Sequence, residues 1–343
     1  MNGDRLIGRV LSPGTLAVAL GTLIWVGGCQ QSLPKSKNDV PLPAQAPVPP
    51  PPKPVALDPA LHAAALRILQ ANTDSTNATL RSNAIEALQQ AVPQQAAGAV
   101  LKGLTDPNPT VCFAAAMAAG ELKLADAHDR LLQIHSDSKS KVVQVGVDFA
   151  LHKLGDTRYS HEFETLVKDP DPEVRGKAAL ALGLLGEPSA VLLLRPLRHD
   201  PEPSVKLQAS SSLWRLNDAD GLDDLLSWAI SKYPDDVILA TLALAAPNDP
   251  KVIQHVRANL VTDYPEVDLA AARALGELGS DEGYVLAMKG VADQDDPELR
   301  FLGALALGSI GRSDAQDALA KLLNDPSQNV RLAAATAILE LHG

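Results

Sequence analysis

The stretch Asp169-Pro-Asp-Pro-Glu-Val-Arg-Gly-Lys-Ala-Ala-Leu-Ala-Leu-Gly-Leu-Leu-Gly-Glu-Pro-Ser-Ala-Val-Leu-Leu-Leu194 is written as two short helices with a turn on either side. Asp171 stands before Pro172 and Glu173, an order that suits a helix start. The carboxylate accepts free amide hydrogens, proline fits the first helical position, and an acid favours the positive end of the dipole. Val174, Ala178, Ala181, Leu182 and Leu185 then follow helical spacing, and Gly186 is suited to the left-handed turn that ends such a helix. The spacing predicts a first helix from about residue 172 and a second from about Pro188 to Leu197.

Outward from this stretch the same signals return. The apolar residue that follows each acidic or proline-bearing turn is Leu80, Val111, Val142, Val174, Val205, Val237, Val267, Leu299 and Val330, with 30 to 32 residues between neighbours. A period of that length holds two helices but no independent core, so each unit must bury its apolar face on the next. Asp recurs five residues before the anchor at Asp106, Asp137, Asp169, Asp200 and Asp325. A cation follows it at Arg81, Arg175, Lys206, Arg300 and Arg331. An ion-pair ladder between adjacent turns is expected, with plain solvated charge as the alternative.

The order Asp-Pro turn, Val-Arg, Ala-Ala, Ala-Leu-Gly and closing Leu-Gly resembles the HEAT-like repeats named after phycobilin lyases. The likeness is specific in Pro172–Gly186, Pro265–Gly279, Pro297–Gly311 and Gln328–Leu341, and looser in the first three units. It implies an all-α, right-handed α-α superhelix, a HEAT/armadillo-like solenoid, of about eight and a half helix-pair repeats over residues 58–343. The unit around Val237 departs most, because Ala245-Ala-Pro-Asn-Asp-Pro250 replaces the Leu-Gly turn, and a local change of curvature is expected there. The final unit has only a first helix and is expected to act as a cap.

Residues 1–28 differ in kind. Arg5 and Arg9 precede a mostly apolar run from Thr15 to Val26, closed by Gly27-Gly28-Cys29. The run is shorter than the roughly twenty residues of a spanning helix, and the segment resembles a bacterial lipoprotein signal peptide. The resemblance implies acylation of Cys29, tethering of the mature chain to the cell envelope and, with Gln30 next, an outer-membrane destination in a two-membrane bacterium. Residues 29–57 read as a spacer, with proline at 34, 41, 43, 47, 49–52 and 54. Such a segment extends as polyproline II at roughly 3.1 Å per residue.

A formal net charge of −11 argues against binding to phosphate backbones. The sequence carries no phosphate loop, nucleophile elbow, zinc-spaced cysteine pair or His-Glu-x-x-His motif. Some enzymes with these repeats hold two irons through His-Glu dipeptides placed alike in several units, whereas here only His161-Glu162 occurs. No metal site or cofactor is therefore expected. Cys112 reads as a small packed residue and Trp214 as core. What remains is the broad surface of the array. If the second helices line the concave side, Trp228, Arg257, Arg195, Arg198, His255 and Tyr284 are the candidates for holding a protein or peptide. The reading is a membrane-tethered, non-catalytic scaffold, and the alternative is an enzyme, bilin-lyase-like or metal-dependent, that cradles a substrate in the groove.

Overall fold

The computed structural model describes residues 55–342, so the signal-peptide segment, Cys29 and the spacer up to residue 54 lie outside the described residues. The described chain is all-helical, as the period predicts. Its helices are α1 (Pro59–Asn72), α2 (Ala78–Ala91), α3 (Pro93–Gly103), α4 (Pro109–Glu121), α5 (His128–Asp137), α6 (Lys141–Lys153), α7 (Phe163–Leu166), α8 (Pro172–Leu185) and α9 (Val191–Leu194). They continue as α10 (Pro203–Arg215), α11 (Ala219–Trp228), α12 (Pro234–Ala245), α13 (Ile253–Arg257), α14 (Pro265–Glu277), α15 (Tyr284–Val291), α16 (Pro297–Ile310), α17 (Gln316–Leu322) and α18 (Gln328–Glu340). The even-numbered helices from α2 on are the first helices of the units.

The helix starts are made by the residues that the repeat puts there. Asn77, Asn108, Ser140, Asp171 and Asp296 each accept a backbone amide hydrogen of the first turn. Gly186 ends α8 at φ 75°, in the left-handed region that suits glycine. In the divergent unit Asn248 takes that conformation at φ 55°, so Ala245–Pro250 turns the chain without a Leu-Gly pair. The second helices are often short. Around Val191–Leu194, for example, a single α turn is flanked by 3-10 turns at Pro188–Ala190 and Arg195–His199.

Neighbouring even-numbered helices pack closely on one another, whereas the odd-numbered helices pack mainly onto the even ones. In a curved array the more tightly spaced layer is the inner one. The expectation that second helices line the concave side is therefore corrected: they form the outer layer. The cause is a glycine nine places after four of the anchors, Val111, Val174, Val267 and Leu299. A Cβ on Gly120 would meet the Ala150 backbone at 2.9 Å, one on Gly183 the Ser212 Cα at 2.9 Å, one on Gly276 the Ile310 N at 2.7 Å, and one on Gly308 the Ala337 Cα at 2.9 Å. Helix α10 carries Trp214 at that place. Its fully buried indole donates to the Leu244 carbonyl oxygen at 2.9 Å, and α10 and α12 touch far less than other inner neighbours do. This seam falls at the unit in which the sequence predicts altered curvature.

The two ends of the solenoid meet. Helix α1, which precedes the first full pair, packs on α18 and supplies the second helix that the last unit lacks. The Val55 amide donates to Ser313 Oγ at 2.9 Å, the Asp58 amide to Gln316 Oε1 at 3.2 Å, and Gln316 Nε2 to the Ala56 carbonyl at 3.2 Å. Helix α18 also touches α2, so the inner layer returns to its start. The final unit, expected to be a cap, is therefore itself covered by α1, and its Leu332, Ala335 and Leu339 are buried.

The expected ladder is present between consecutive turns. Arg81 forks onto Asp106 at 2.7 and 2.8 Å, Arg175 onto Asp200 at 2.7 Å for both bonds, and Arg300 onto Asp325 at 2.7 and 3.2 Å. Each of these aspartates also accepts the amide two residues on, so it shapes its own turn while gripping the preceding unit.

Leu69→Ala removes a fully buried contact from the closing helix and is expected to cost about 2–5 kcal/mol in urea unfolding. Asp200→Ala, which strips Arg175 of its fork, is expected to cost about 1–3 kcal/mol in the same measurement.

Candidate interaction surface

Most of the candidate residues read from the sequence hold the outer layer together. Arg195 reaches Asp218 at 2.8 Å, Arg198 forks onto Asp224 at 2.6 and 2.8 Å, and Arg257 forks onto Glu282 of the next unit. Tyr284 lies half-buried under the Arg312 guanidinium, 3.7 Å from the ring centroid, and burial together with nearby Asp314 pushes its phenol up to about 12. These four are engaged within the chain. His255 is exposed, and Trp228 is half-buried at the end of α11. The first helices bring together a set that sequence reasoning missed.

Glu121, Arg215, Glu277 and Glu340 stand ten residues after their anchors in α4, α10, α14 and α18, with Glu86 and Arg273 six after theirs and Lys177 three after. Their shared phase was a readable signal, because a charge recurring on one face of an otherwise apolar helix marks a common environment. Glu277 accepts from Arg273 Nε at 3.1 Å, and Glu121 lies 3.3 Å from Lys153 Nζ. Burial pushes the Glu86 carboxyl up to about 8 and those of Glu277 and Glu340 up to about 7. It pulls Lys177 down and Arg215 to about 10, with Glu86 and Glu277 respectively opposing the change. Charges on α2 and α8, and on α10 and α14, thus feel one another across the inner layer. Asn83 is buried beside them with neither amide atom hydrogen-bonded. The charges set into this apolar interior are of both signs, with Glu86, Glu121, Glu277 and Glu340 facing Lys153, Lys177, Arg215 and Arg273. No group of three His, Cys, Asp or Glu residues among the described residues is placed to hold a metal ion. Cys112 is buried, and burial pushes its thiol up to about 11, which suits packing and disfavours nucleophilic chemistry.

The turns that lead into α12 and α14 look outward. Ile230 is 84% exposed and Tyr233 58%, and in the following unit Val261 is 84% and Tyr264 48% exposed. Large apolar side chains thus recur on one edge of consecutive units, beside Trp228. Lone exposed apolar residues are ordinary, whereas a cluster of them marks a contact surface.

Comparison with known proteins agrees with this architecture. A family model described as HEAT repeats matches residues 65–148, 136–214, 160–245 and 285–341, more than half of the chain. A curated relative, an uncharacterized phycocyanin operon protein Z of Pseudanabaena tenuis, is 28% identical over 134 residues. That alignment covers 36% of this chain and 66% of the relative, so the chain spans slightly less than two thirds of the relative's length. Among solved structures, the complex of CpcE and CpcF of phycocyanin lyase from Nostoc sp. is similar at 19% identity and a TM-score of 0.42, over 71% of this chain and 97% of that one. Human deoxyhypusine hydroxylase is similar at 18% identity and a TM-score of 0.35, over 81% and 96%.

The interior carboxyls set a pH dependence. A carboxyl whose folded pKa lies near 7 to 8, against about 4.3 in the unfolded chain, makes the folded state hold more protons in between, so stability falls as pH rises through that window. Lys177, shifted down, acts in the opposite direction at higher pH. The melting temperature is expected to be higher at pH 5.5 than at pH 8.5, and Glu340→Gln is expected to shrink that difference in a pair of thermal scans.

Proposed function

The chain belongs to the HEAT-repeat family, and we propose that it is a non-catalytic protein-interaction scaffold, tethered to the bacterial envelope by a lipid on Cys29. The observation that carries the reading is the exposed apolar edge at Ile230, Tyr233, Val261 and Tyr264. A stacked array presents equivalent turns side by side, so side chains from consecutive units reach one partner together without any change of fold. Aromatic residues in such a row supply large contact area at small entropic cost. Trp228 and His255 lie near this edge in sequence and belong to the proposed surface. Arg195, Arg198, Arg257 and Tyr284 serve it indirectly, by fixing the outer helices.

The tether rests on the resemblance of residues 1–29 to a lipoprotein signal, and the proline-rich segment after it would hold the repeats away from the lipid surface. An envelope protein offered to such a scaffold meets a preformed edge. A second reading, an enzyme that handles substrate inside the array, draws on the near-neutral carboxyls of Glu86, Glu277 and Glu340.

Crosslinking in intact cells, followed by membrane solubilisation and recovery of the tagged chain, tests the scaffold reading. The full-length protein is expected to bring down one dominant envelope partner. Val261→Asp, a change at an exposed position, is expected to lose that partner while the protein stays in the membrane fraction. Cys29→Ser is expected to move the protein to the soluble fraction. Partner recovery unchanged by Val261→Asp would overturn the edge as the docking surface.

A further inference from the structure

The exposed apolar residues form a track that begins where the described chain begins. Val55, Val285, Val261, Tyr264, Ile230 and Tyr233 are the large apolar side chains exposed among the described residues, with Leu192 alone elsewhere. Val55 is held at Ser313, just before α17. Val285 lies in the first turn of α15, in the adjoining unit, and Val261 and Tyr264 lead into α14 of that same unit. Ile230 and Tyr233 lead into α12, one unit further on.

The two tyrosine turns are built alike. Ser231-Lys-Tyr-Pro234 and Thr262-Asp-Tyr-Pro265 each place a hydroxyl two residues before the ring. Ser231 Oγ accepts the Tyr233 amide at 3.2 Å and donates to Asp236 at 3.1 Å, while Thr262 Oγ1 accepts the Tyr264 amide at 3.0 Å and donates to Asp268 at 2.8 Å. The tyrosines stand at the cap places of α12 and α14 and make no side-chain cap bond, whereas Asn77, Asn108, Asp171 and Asp296 cap their helices from the same place. Both turns thus give up a capping side chain and gain a fixed, exposed ring. Lys232 sits 5.0 Å from the Tyr233 centroid and takes one face of that ring.

Helices α12 and α14 are packed neighbours, and packed helix axes lie roughly 8–10 Å apart. A polyproline II helix repeats every three residues, or roughly 9.3 Å, so its successive turns fall in step with the two rings. Its carbonyls bond to nothing within the segment, so exposed tyrosine hydroxyls can donate to them, whereas an α-helix uses its own. Residues 41–54, which precede Val55, have the matching sequence: Pro41, Ala44, Pro47 and Pro50 recur at three-residue spacing. Their reach is sufficient. The 14 residues of α16 span roughly 21 Å between its two ends, and one or two units lie across, so the rings stand about 25–30 Å from Val55. About eight to ten residues in polyproline II form cover that distance.

Resting on the scaffold reading, we infer that residues 41–54 of the chain itself dock along this track in polyproline II form, with prolines on Tyr264 and Tyr233 and apolar neighbours over Val261 and Ile230. The edge is then covered by a strap until a partner displaces it, and residues 29–40 are left for the tether. Two or three proline contacts bind weakly alone, and attachment to the same chain makes them effective.

Maleimide labelling of Val261→Cys in the full chain, read by mass spectrometry at residue 261, tests the strap. The reference is the same chain with residues 41–54 replaced by glycine and serine at equal length, which keeps the Val55 and Asp58 contacts. Labelling is expected to be at least about threefold slower with the native segment, since a short tether holds it at roughly millimolar effective concentration. Buried Cys112, read in the same digest, reports on the fold and is expected to stay unlabelled in both chains. Tyr233→Ala together with Tyr264→Ala is expected to bring the native-segment rate up to that of the glycine-serine chain. Equal rates at residue 261 in the two chains, slow labelling that survives loss of both rings, or protection that fades on dilution and so marks a second copy as occupant, would each overturn the strap. Equal rates with a cellular partner still lost in Val261→Asp overturn the strap and leave the scaffold. Protection at residue 261 with no partner recovered, even from the glycine-serine chain, overturns the scaffold reading and leaves the strap.

Discussion

Backbone-to-backbone approach of the first helices sets the shape of the whole molecule. Gly120, Gly183, Gly276 and Gly308 each sit where one more carbon would run into the next helix, and the alanines around them keep the rest of the layer thin. Because that layer is drawn together, the second helices are splayed outward and must be held by other means. The Arg198–Asp224 and Arg257–Glu282 forks do this on the outside, and the Arg81–Asp106, Arg175–Asp200 and Arg300–Asp325 forks do it in the turns. Where Trp214 takes the glycine place the contact opens, and the hydrogen bond from its indole to Leu244 keeps the loosened pair joined.

Much of the architecture was legible because it is local. Caps such as Asp171 and Asp296, the terminators Gly186 and Gly311, and the 31-residue phase of the anchors all act within one unit or between neighbours. The turn ladder could be read as well, since both members recur in register. What escaped was set by the sum of many units. Nothing in a single repeat says which layer faces inward, and the return of α18 to α1 depends on an angle accumulated over the full array. One half-pair was nevertheless visible, the lone helix after Val330, while the helix before Leu80 that completes it was not picked out. Trp214 as core and Cys112 as packed residue were read correctly from size and setting. The pairing of Arg195, Arg198 and Arg257 within the chain was not legible, because sequence distance hides the aspartates and glutamate that they meet.

The interior shows how an alanine-rich array tolerates charge. Glu86, Lys177, Arg215, Glu277 and Glu340 lie deep, yet each influences a group of opposite sign on another helix, so the inner layer carries little net charge. Isolated, each would be strongly unfavourable. Asp148 and Glu298 differ, because neighbouring carboxylates add to the effect of burial there: Glu162 at Asp148, and Asp296, Glu266 and Asp235 at Glu298.

Closure also imposes an order on assembly. The bonds from Val55 to Ser313 and from Asp58 to Gln316 each bridge 258 residues of sequence. During synthesis, helix α1 emerges ahead of the other described helices and waits for α18 before it finds its mate, while every pair between them can stack as it appears. A ribosome or translocation channel holding back the C-terminus therefore holds an unclosed array with α1 and the face of α2 uncovered. In an array of this design the meeting of α1 with α18 comes after the stacking of the pairs between them, and a nascent chain cut short before Gln316 has the Arg81–Asp106 and Arg175–Asp200 forks in place but neither the Arg300–Asp325 fork nor the clasp.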